Sequence, residues 1–281
     1  MTIWGSTYVV TKAGLDRLPP MLFALLRFCV ASLLLVPLAL RGGLATLPRP
    51  FPWATLCLMA LTGVGLYYVG FNLSLTYTTA SQGALVQASI PAITAVMAMV
   101  WLREQVSRPR MVGIGLAVAG VVLVVAHTTP DAGARAPLVG NLLMFGTVLV
   151  WGVYTILAKR VSAIDSVAIS AGVSALGTLM LVPAALLEAA RTPPPSISPA
   201  DWLRIVYLGA FPSAAGYILY SRALRDLEAS QVGTFVNLVP VIGVATGVAF
   251  LGETITPLAV AGGALVLVGV WISSRAPTPE S

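Results

Sequence analysis

The sequence predicts an all-α polytopic membrane protein of ten transmembrane helices, arranged as two inverted five-helix repeats. Three observations carry that reading. Hydrophobic residues make up 58% of the 281 residues and charged residues 9%, where a soluble domain carries about 25% charged residues. Apolar stretches long enough to cross a hydrocarbon core about 30 Å thick recur along the chain. Residues 53–122 also return 149 positions later without a gap. Trp53 recurs as Trp202, Tyr68 as Tyr217, Ala80-Ser81-Gln82 as Ala229-Ser230-Gln231, Pro91 as Pro240, Glu104 as Glu253, Gly113 as Gly262 and Gly120 as Gly269. A weaker echo pairs Trp4-Gly5 with Trp151-Gly152 and Lys12 with Lys159. Duplication inside an apolar chain is a mark of secondary transporters.

The spans are expected at 1–15, 21–40, 53–76, 82–102, 109–126, 138–158, 166–187, 202–224, 231–251 and 257–274. They read as helices because the apolar runs are continuous, whereas barrel strands alternate over about ten residues. Lipid also leaves no water for unpaired backbone groups. The first span is short: Trp151 follows thirteen residues of expected helix and Trp4 only three. A natural start upstream of Met1 is therefore expected, and no signal-peptide pattern explains the difference. The first repeat covers 1–126, a connector 127–137, the second repeat 138–274 and a cytoplasmic tail 275–281. The longer loops, 41–52, 127–137 and 188–201, are rich in Pro, Gly and Ala and leave no room for a soluble domain.

Orientation follows from lysine and arginine. With the N-terminus inside, one side carries Arg41, Arg49, Arg103, Arg108, Arg110, Lys159, Arg160, Arg222, Arg225 and Arg275. The other carries Lys12, Arg17, Arg135, Arg191 and Arg204. Ten against five places both termini in the cytoplasm of a compact, bacterial-type inner-membrane protein. It also accounts for the net charge of +6 without nucleic acid; the expected partners are a small-molecule substrate and membrane lipid. Five helices per half is an odd number, so the second half enters the membrane upside down. Cys29 and Cys57 have no metal-ligand neighbours and read as small buried hydrophobes. No cofactor or metal is implied.

Two segments carry a family signature. Tyr77-Thr-Thr-Ala-Ser-Gln-Gly-Ala-Leu leads to Pro91 and Trp101-Leu-Arg-Glu-Gln-Val-Ser107. Leu224-Arg-Asp-Leu-Glu-Ala-Ser230 leads to Asn237-Leu-Val-Pro240 and Phe250-Leu-Gly-Glu-Thr-Ile-Thr256. With Trp4-Gly-Ser-Thr-Tyr-Val-Val-Thr-Lys12 and Leu25-Leu-Arg-Phe28, they resemble the two EamA repeats of the drug/metabolite transporter superfamily over nearly the whole chain. The resemblance implies ten helices, inner termini and export or exchange of small metabolites. Superfamily members handle amino acids, their derivatives, sugars and drugs, so it fixes no substrate. The leading part of the first helix departs from the family pattern.

Several residues are candidates for lining a midplane cavity. Tyr68, Asn72 and Thr76 share one face of the third span; Ser213, Tyr217, Tyr220 and Ser221 share the matching face of the eighth. Such faces point at a cavity or at a neighbouring helix. Pro91 and Pro240 lie about halfway along the fourth and ninth spans, where each is expected to kink the helix and free a carbonyl. Gln87 and Asn237 lie one turn earlier, their amides serving either that carbonyl or a solute. In the first and sixth spans Trp4, Tyr8 and Thr11 match Trp151, Tyr154 and Thr155, to stack on a solute or to fill packing gaps. Arg27 lies about two turns into the second span, to snorkel outward, to pair with a helix C-terminus or to bind a substrate carboxylate. Lys12 is a comparable charge partner. Glu104 and Glu253 close the fourth and ninth spans on opposite faces.

No Asp or Glu lies well inside an expected span, and the only histidine, His127, sits in a loop. A facilitator or exchanger of neutral or zwitterionic solutes is therefore expected. An intramembrane protease would need paired aspartates or Ser with His at depth, and a P-loop motif is absent. The chain reads as a carrier and not an enzyme. An amino-acid exporter is the first reading and a drug or sugar exporter the alternative; a channel fits twin Pro-kinked helices less well. Pro91→Ala is expected to straighten the fourth helix and slow solute exchange in proteoliposomes at unchanged folded yield. An unchanged rate removes the hinge role.

Overall fold

The computed structural model describes residues 2–42, 50–102, 107–126, 134–193, 195–226 and 238–275, and the described residues fold almost wholly into helix. In chain order these are α1 (Thr2–Leu15), α2 (Pro20–Arg41), α3 (Trp53–Ala60), α4 (Leu66–Tyr77), α5 (Ala80–Gln87), α6 (Ile90–Leu102) and α7 (Arg108–Ala126). The second half contributes α8 (Pro137–Arg160), α9 (Ser166–Arg191), α10 (Pro199–Leu208), α11 (Gly216–Asp226), α12 (Leu238–Leu251) and α13 (Pro257–Arg275). Six continuous helical stretches are long and apolar enough to cross a membrane, and α12 and most of α13 are shorter apolar helices. Large side chains such as Leu33, Leu203 and Phe250 are exposed around the outside, as a lipid-facing surface requires and a watery one penalises. Cys57 belongs to that exposed surface and Cys29 is only half-buried, so neither is the buried hydrophobe the sequence suggested.

Three spans depart from the uninterrupted helices expected of them. The third is α3 and α4 joined by a π-helical segment, Leu61–Gly65. The eighth is α10 and α11 joined by another, Gly209–Ala215. Subtracting 149 from 209–215 gives 60–66, so the wide turn recurs at the same place in both repeats. Gly63, Gly65 and Gly209 ease it, and Pro212, lacking an N–H, cannot support an ordinary helical ladder. The fourth span breaks into α5 and α6 at Ala88–Ser89, directly ahead of Pro91. Pro91 thereby becomes the second residue of α6, where its missing N–H leaves no intrahelical bond unmade. Pro240 is the third residue of α12; Asn237 and Glu104 lie outside the described residues.

Repeat-related contacts recur across the bundle. The α7–α13 seam is closed by glycine: a Cβ on Gly113 would stand 2.5 Å from the Gly269 carbonyl, and one on Gly120 2.5 Å from the Gly262 carbonyl. The two pairs have equal residue sums (113 + 269 = 120 + 262 = 382), so these repeat-matched helices run antiparallel. Ser32 of α2 and Thr178 of α9 meet at 3.0 Å; they lie 146 residues apart, as do Val36-Pro37 and Val182-Pro183. Lys12 donates to the carbonyls of Leu75 (2.6 Å) and Thr78 (2.8 Å) at the end of α4. Lys159 donates to the Leu224 carbonyl (2.8 Å) near the end of α11. Both cations sit where a helix C-terminus favours positive charge.

Close backbone approach at the α7–α13 seam makes a contrast within one helix. Gly120→Ala is expected to lower stability by about 1–3 kcal/mol through overpacking. Gly115 has nothing within 4 Å of its Cβ position, so Gly115→Ala is neutral or stabilises by up to about 1 kcal/mol. Thermal unfolding in detergent reads both, and equal behaviour of the two variants contradicts the close seam.

Candidate solute-binding cavity

Where α1, α2, α4, α8, α11 and α12 converge on the α5–α6 break, a cavity opens that is lined by Trp4, Thr7, Tyr8, Arg27, Tyr67, Tyr68, Phe71, Gln87, Ile90, Trp151, Tyr217, Val239 and Pro240. Its volume is about 50 Å³, room for a few waters and too little for a whole metabolite. A solute entering here has to spread the surrounding helices.

The aromatic wall is tied together across the two halves. Each π segment releases backbone carbonyls that need a donor in a dry interior. The Tyr217 hydroxyl donates to the carbonyl of Gly63, and the Trp4 indole N–H donates to the carbonyl of Pro212 at 3.0 Å. Gly63 and Pro212 are 149 apart, and each takes its donor from the opposite half. Trp151 stands at the centre of the cluster, its ring 5.9 Å from Trp4, 5.1 Å from Tyr67, 4.8 Å from Tyr154 and 5.5 Å from Tyr220. Such tilted and edge-on pairs are the favoured aromatic arrangement.

Gln87 is the polar hub. Its side-chain oxygen accepts from the Tyr8 hydroxyl at 2.6 Å and faces Tyr67 Oη at 3.1 Å. Its amide donates to Thr147 Oγ1 at 3.0 Å. The last residue of α5 thus joins α1, α4 and α8. The bond to a proline-freed carbonyl, one of the two roles expected of this amide, is not the one it makes.

Among the described residues Arg27 is the only charged one in the cavity wall, and it is 2% exposed. Nε donates to Ser213 Oγ at 2.7 Å and Nη2 to Tyr68 Oη at 3.1 Å. Its Cζ lies 4.5 Å from the Tyr68 ring centroid. Among the described residues Nη1 has no hydrogen-bond partner, and no carboxylate lies within ion-pair reach. The guanidinium does not snorkel. Even on lenient scales a cation at the centre of a spanning helix costs about 2.5–3.5 kcal/mol, which a cation–π contact of about 2 kcal/mol offsets only in part.

Of the residues the sequence singled out, the structure brings Tyr8, Tyr68, Gln87, Trp151, Tyr217, Pro240 and Arg27 to one cavity. It sends others elsewhere. Asn72 donates to the Pro20 carbonyl at 2.8 Å, at the start of α2. Tyr154 and Tyr220 are buried behind Trp151, and Tyr220 Oη meets Thr155 Oγ1 at 2.9 Å. Pro91 lies at the break but not in the wall. The readings missed Tyr67, Phe71 and Thr7. Tyr67 and Phe71 are four residues apart, a spacing visible in the sequence, but the face through Tyr68 and Asn72 drew attention because its residues are polar.

A wider vestibule of about 830 Å³ lies at the end of the bundle that carries the turns after α1, α4, α9 and α12. Lys12, Asp16, Arg17, Arg135, Glu188 and Glu253 face it. Two of its carboxylates, those of Glu188 and Glu253, sit on helix N-termini, where orphan N–H groups and the helix dipole favour an anion. Glu188 accepts from the N–H groups of Met21 and Leu22, both at 2.9 Å. Glu253 accepts from those of Ala80 (2.7 Å) and Ser81 (2.8 Å), at the start of α5.

An apolar-surfaced helical bundle with a dry, aromatic cavity at the seam of two related halves defines a multi-pass membrane transporter, not an enzyme. The chain belongs to the EamA-like transporter family, whose pattern matches residues 1–126 and 138–275. An uncharacterized transporter from Archaeoglobus fulgidus is 30% identical over 98% of this chain and 94% of its own length. A probable terminal-alkyne amino-acid exporter from Streptantibioticus cattleyicolor is 28% identical over 97% of this chain and 90% of its own. A probable amino-acid metabolite efflux pump from Salmonella typhimurium is 26% identical over 97% and 91%. A solved crystal structure, 19% identical, superposes with a TM-score of 0.70 over 96% of this chain and 92% of that one, which speaks to the fold alone.

Proposed function

We propose that this protein is a secondary carrier that moves small metabolites, amino acids or related neutral or zwitterionic solutes, across the inner membrane by alternating access. One observation carries the reading: a single aromatic cavity with a few convergent polar groups lies between repeat-related halves, the usual place for a transporter's substrate. The names of the two exporter-like relatives favour amino acids over drugs or sugars, the second reading.

In this reading the chain spans ten times as two inverted repeats, residues 1–126 and 138–274, joined by 127–137, with a tail from 275. The antiparallel glycine seam, the Ser32–Thr178 contact and the matched Lys12 and Lys159 sites support it. Both termini are cytoplasmic by the arginine bias, so the vestibule faces outward. Tyr8, Tyr68, Gln87, Trp151 and Tyr217 contact the solute, and Tyr154 and Tyr220 back them. Asn237 joins by its place three residues before Pro240. Asn72 and Lys12 hold helix ends beside the path. The α5–α6 break at Pro91 is one hinge and Pro240 the other.

Glu253 is the outer latch in this scheme. It hangs from the end of α12 and grips the start of α5, so it joins the ninth and fourth spans on the outer side. Its repeat mate Glu104, like Ser230 the repeat mate of Ser81, lies outside the described residues. Opening the Glu253 latch frees the start of α5 on the outer side.

Counterflow in proteoliposomes tests the carrier. Labelled neutral amino acids are followed against unlabelled internal ones with no ion gradient. Uptake that depends on internal solute is expected. Silence across the panel removes the amino-acid reading and moves the assay to drugs and sugars under a pH gradient. The latch is read separately in a protein whose only cysteine is introduced by Thr7→Cys in the cavity wall. Glu253→Gln is expected to speed thiol labelling from outside about two- to fivefold, equivalent to the roughly 0.3–1 kcal/mol such a capping charge contributes. An unchanged rate sinks the latch.

A further inference from the structure

We propose that Arg27 reads a carboxylate, so that the solute held in the cavity carries one negative charge and the guanidinium supplies its only formal counter-charge. The inference rests on the cavity being the solute site and adds the chemical class that the site selects.

Every other buried or half-buried cation and anion described near the cavity and vestibule has a structural use. Lys12 and Lys159 serve helix C-terminal carbonyls. Glu188 and Glu253 serve helix N-termini. Asp201 pairs with Arg17 at 3.2 Å and Arg204 at 2.7 Å. Arg27 alone is a buried charge in a cavity wall with no opposite charge beside it, and buried charges are ordinarily paired.

Its geometry is that of a presented group, not a consumed one. Nε is fixed by Ser213 from the second half and Nη2 by Tyr68 from the first, which clamps the plane of the guanidinium at the seam. Nη1 is left over among the described residues, on a side chain that lines the cavity. A guanidinium so held offers directed donors to a carboxylate. Among the described residues the cavity wall contains no acidic residue. An ammonium on the same solute would meet the faces of Trp4, Trp151 and the tyrosines, which attract cations, and the neutral side-chain oxygens of Thr7 and Gln87.

Symmetry supplies a second, independent argument. Features that the architecture needs occur in both halves: the π segments, the glycine seam, the lysine caps and the helix-internal prolines. At the offset that matches Pro37 to Pro183, Arg27 corresponds to Val173 (27 + 146 = 173), a fully buried apolar residue. The bundle therefore packs this position without a charge in its other copy. The charge in the first half is an addition, and the cavity is what it adds to.

The test measures binding to full-length protein in nanodiscs by thermal shift and by quenching of tryptophan fluorescence, with Trp4 and Trp151 in the wall. The probes are paired: L-leucine with L-leucinol, L-phenylalanine with L-phenylalaninol, L-methionine with L-methioninol. Each alcohol keeps the ammonium and side chain and lacks the carboxylate. The acids are expected to bind at least tenfold tighter than their alcohols. Arg27→Met is expected to weaken the acids about thirtyfold or more, the loss typical of truncating one member of a buried charge pair, and to leave the alcohols within about threefold. Arg27→Lys keeps part of the preference. Should Arg27→Met fail to fold, Ser213→Ala, which frees Nε, is expected to reduce the acid-to-alcohol ratio in folded protein. Gln87→Leu separates this inference from the cavity reading, because it weakens acid and alcohol together. If Gln87→Leu changes neither, the cavity is not the solute site. If Gln87→Leu weakens both while the acid-to-alcohol ratio is unchanged by the arginine and serine variants, the carboxylate assignment alone is overturned. Absence of any acid binding also overturns it.

Discussion

The structure depends on one constraint: in hydrocarbon, every backbone N–H and carbonyl must find its partner inside the protein. An ordinary helix meets that demand alone, but two π segments and a proline break do not. Their freed groups create local debts that only other parts of the chain can settle. The two halves settle them for one another, Tyr217 reaching Gly63 and Trp4 reaching Pro212. The same side chains thereby become the walls of the cavity. Irregular backbone in a spanning segment is tolerated where it lines an interior space, and here it is part of what shapes that space.

Around the cavity and vestibule, charge follows a similar rule with one exception among the described residues. Lysines cap helix C-termini and glutamates cap N-termini, in places where the helix dipole and the orphan backbone groups make them useful. These contacts also connect segments distant in sequence, so each is both a local cap and a link in the bundle. Arg27 departs from the pattern. Its neighbours satisfy two of its donors and give it an aromatic face, yet no anion balances it. Among the described residues, that imbalance is the strongest electrostatic feature of the cavity wall.

The alternation of dense and movable parts follows from residue size. Glycines at the α7–α13 seam bring backbones into contact and leave no side chain to repack, so that pair behaves as a rigid block. The α5–α6 junction is different. Two turn residues and Pro91 interrupt the helical ladder beside Gln87, so movement there costs fewer backbone bonds. A motion at that junction reaches Gln87 and, through it, Tyr8, Tyr67 and Thr147. The broken helix contributes Gln87 and Ile90 to the cavity wall, whereas the α7–α13 seam lies outside it.

Much of this was legible in the sequence because lipid makes it so. A long apolar run has few foldable outcomes in a membrane, so span positions followed from composition, and a duplicated sequence placed Tyr68 opposite Tyr217 and Trp4 beside Trp151. The proline in the first turn of α6 announced its own break. What the sequence did not reveal were the π turns and the destinations of individual polar groups. A π turn adds a residue to one turn of helix and shifts which side chains face inward, with no distinctive residue requirement. Periodicity therefore singled out Tyr68 with Asn72, whereas the chain turned Tyr67 and Phe71 to the cavity and gave Asn72 to the Pro20 carbonyl. Likewise a lysine and an arginine in neighbouring helices looked equivalent as charges. Only tertiary structure separated them, because Lys12 found carbonyls at the end of α4 within reach, while Arg27 was clamped between the halves with Nη1 left unpartnered among the described residues. Local sequence determined where the chain crosses the membrane; partners brought close from the other half decided what each polar group does there.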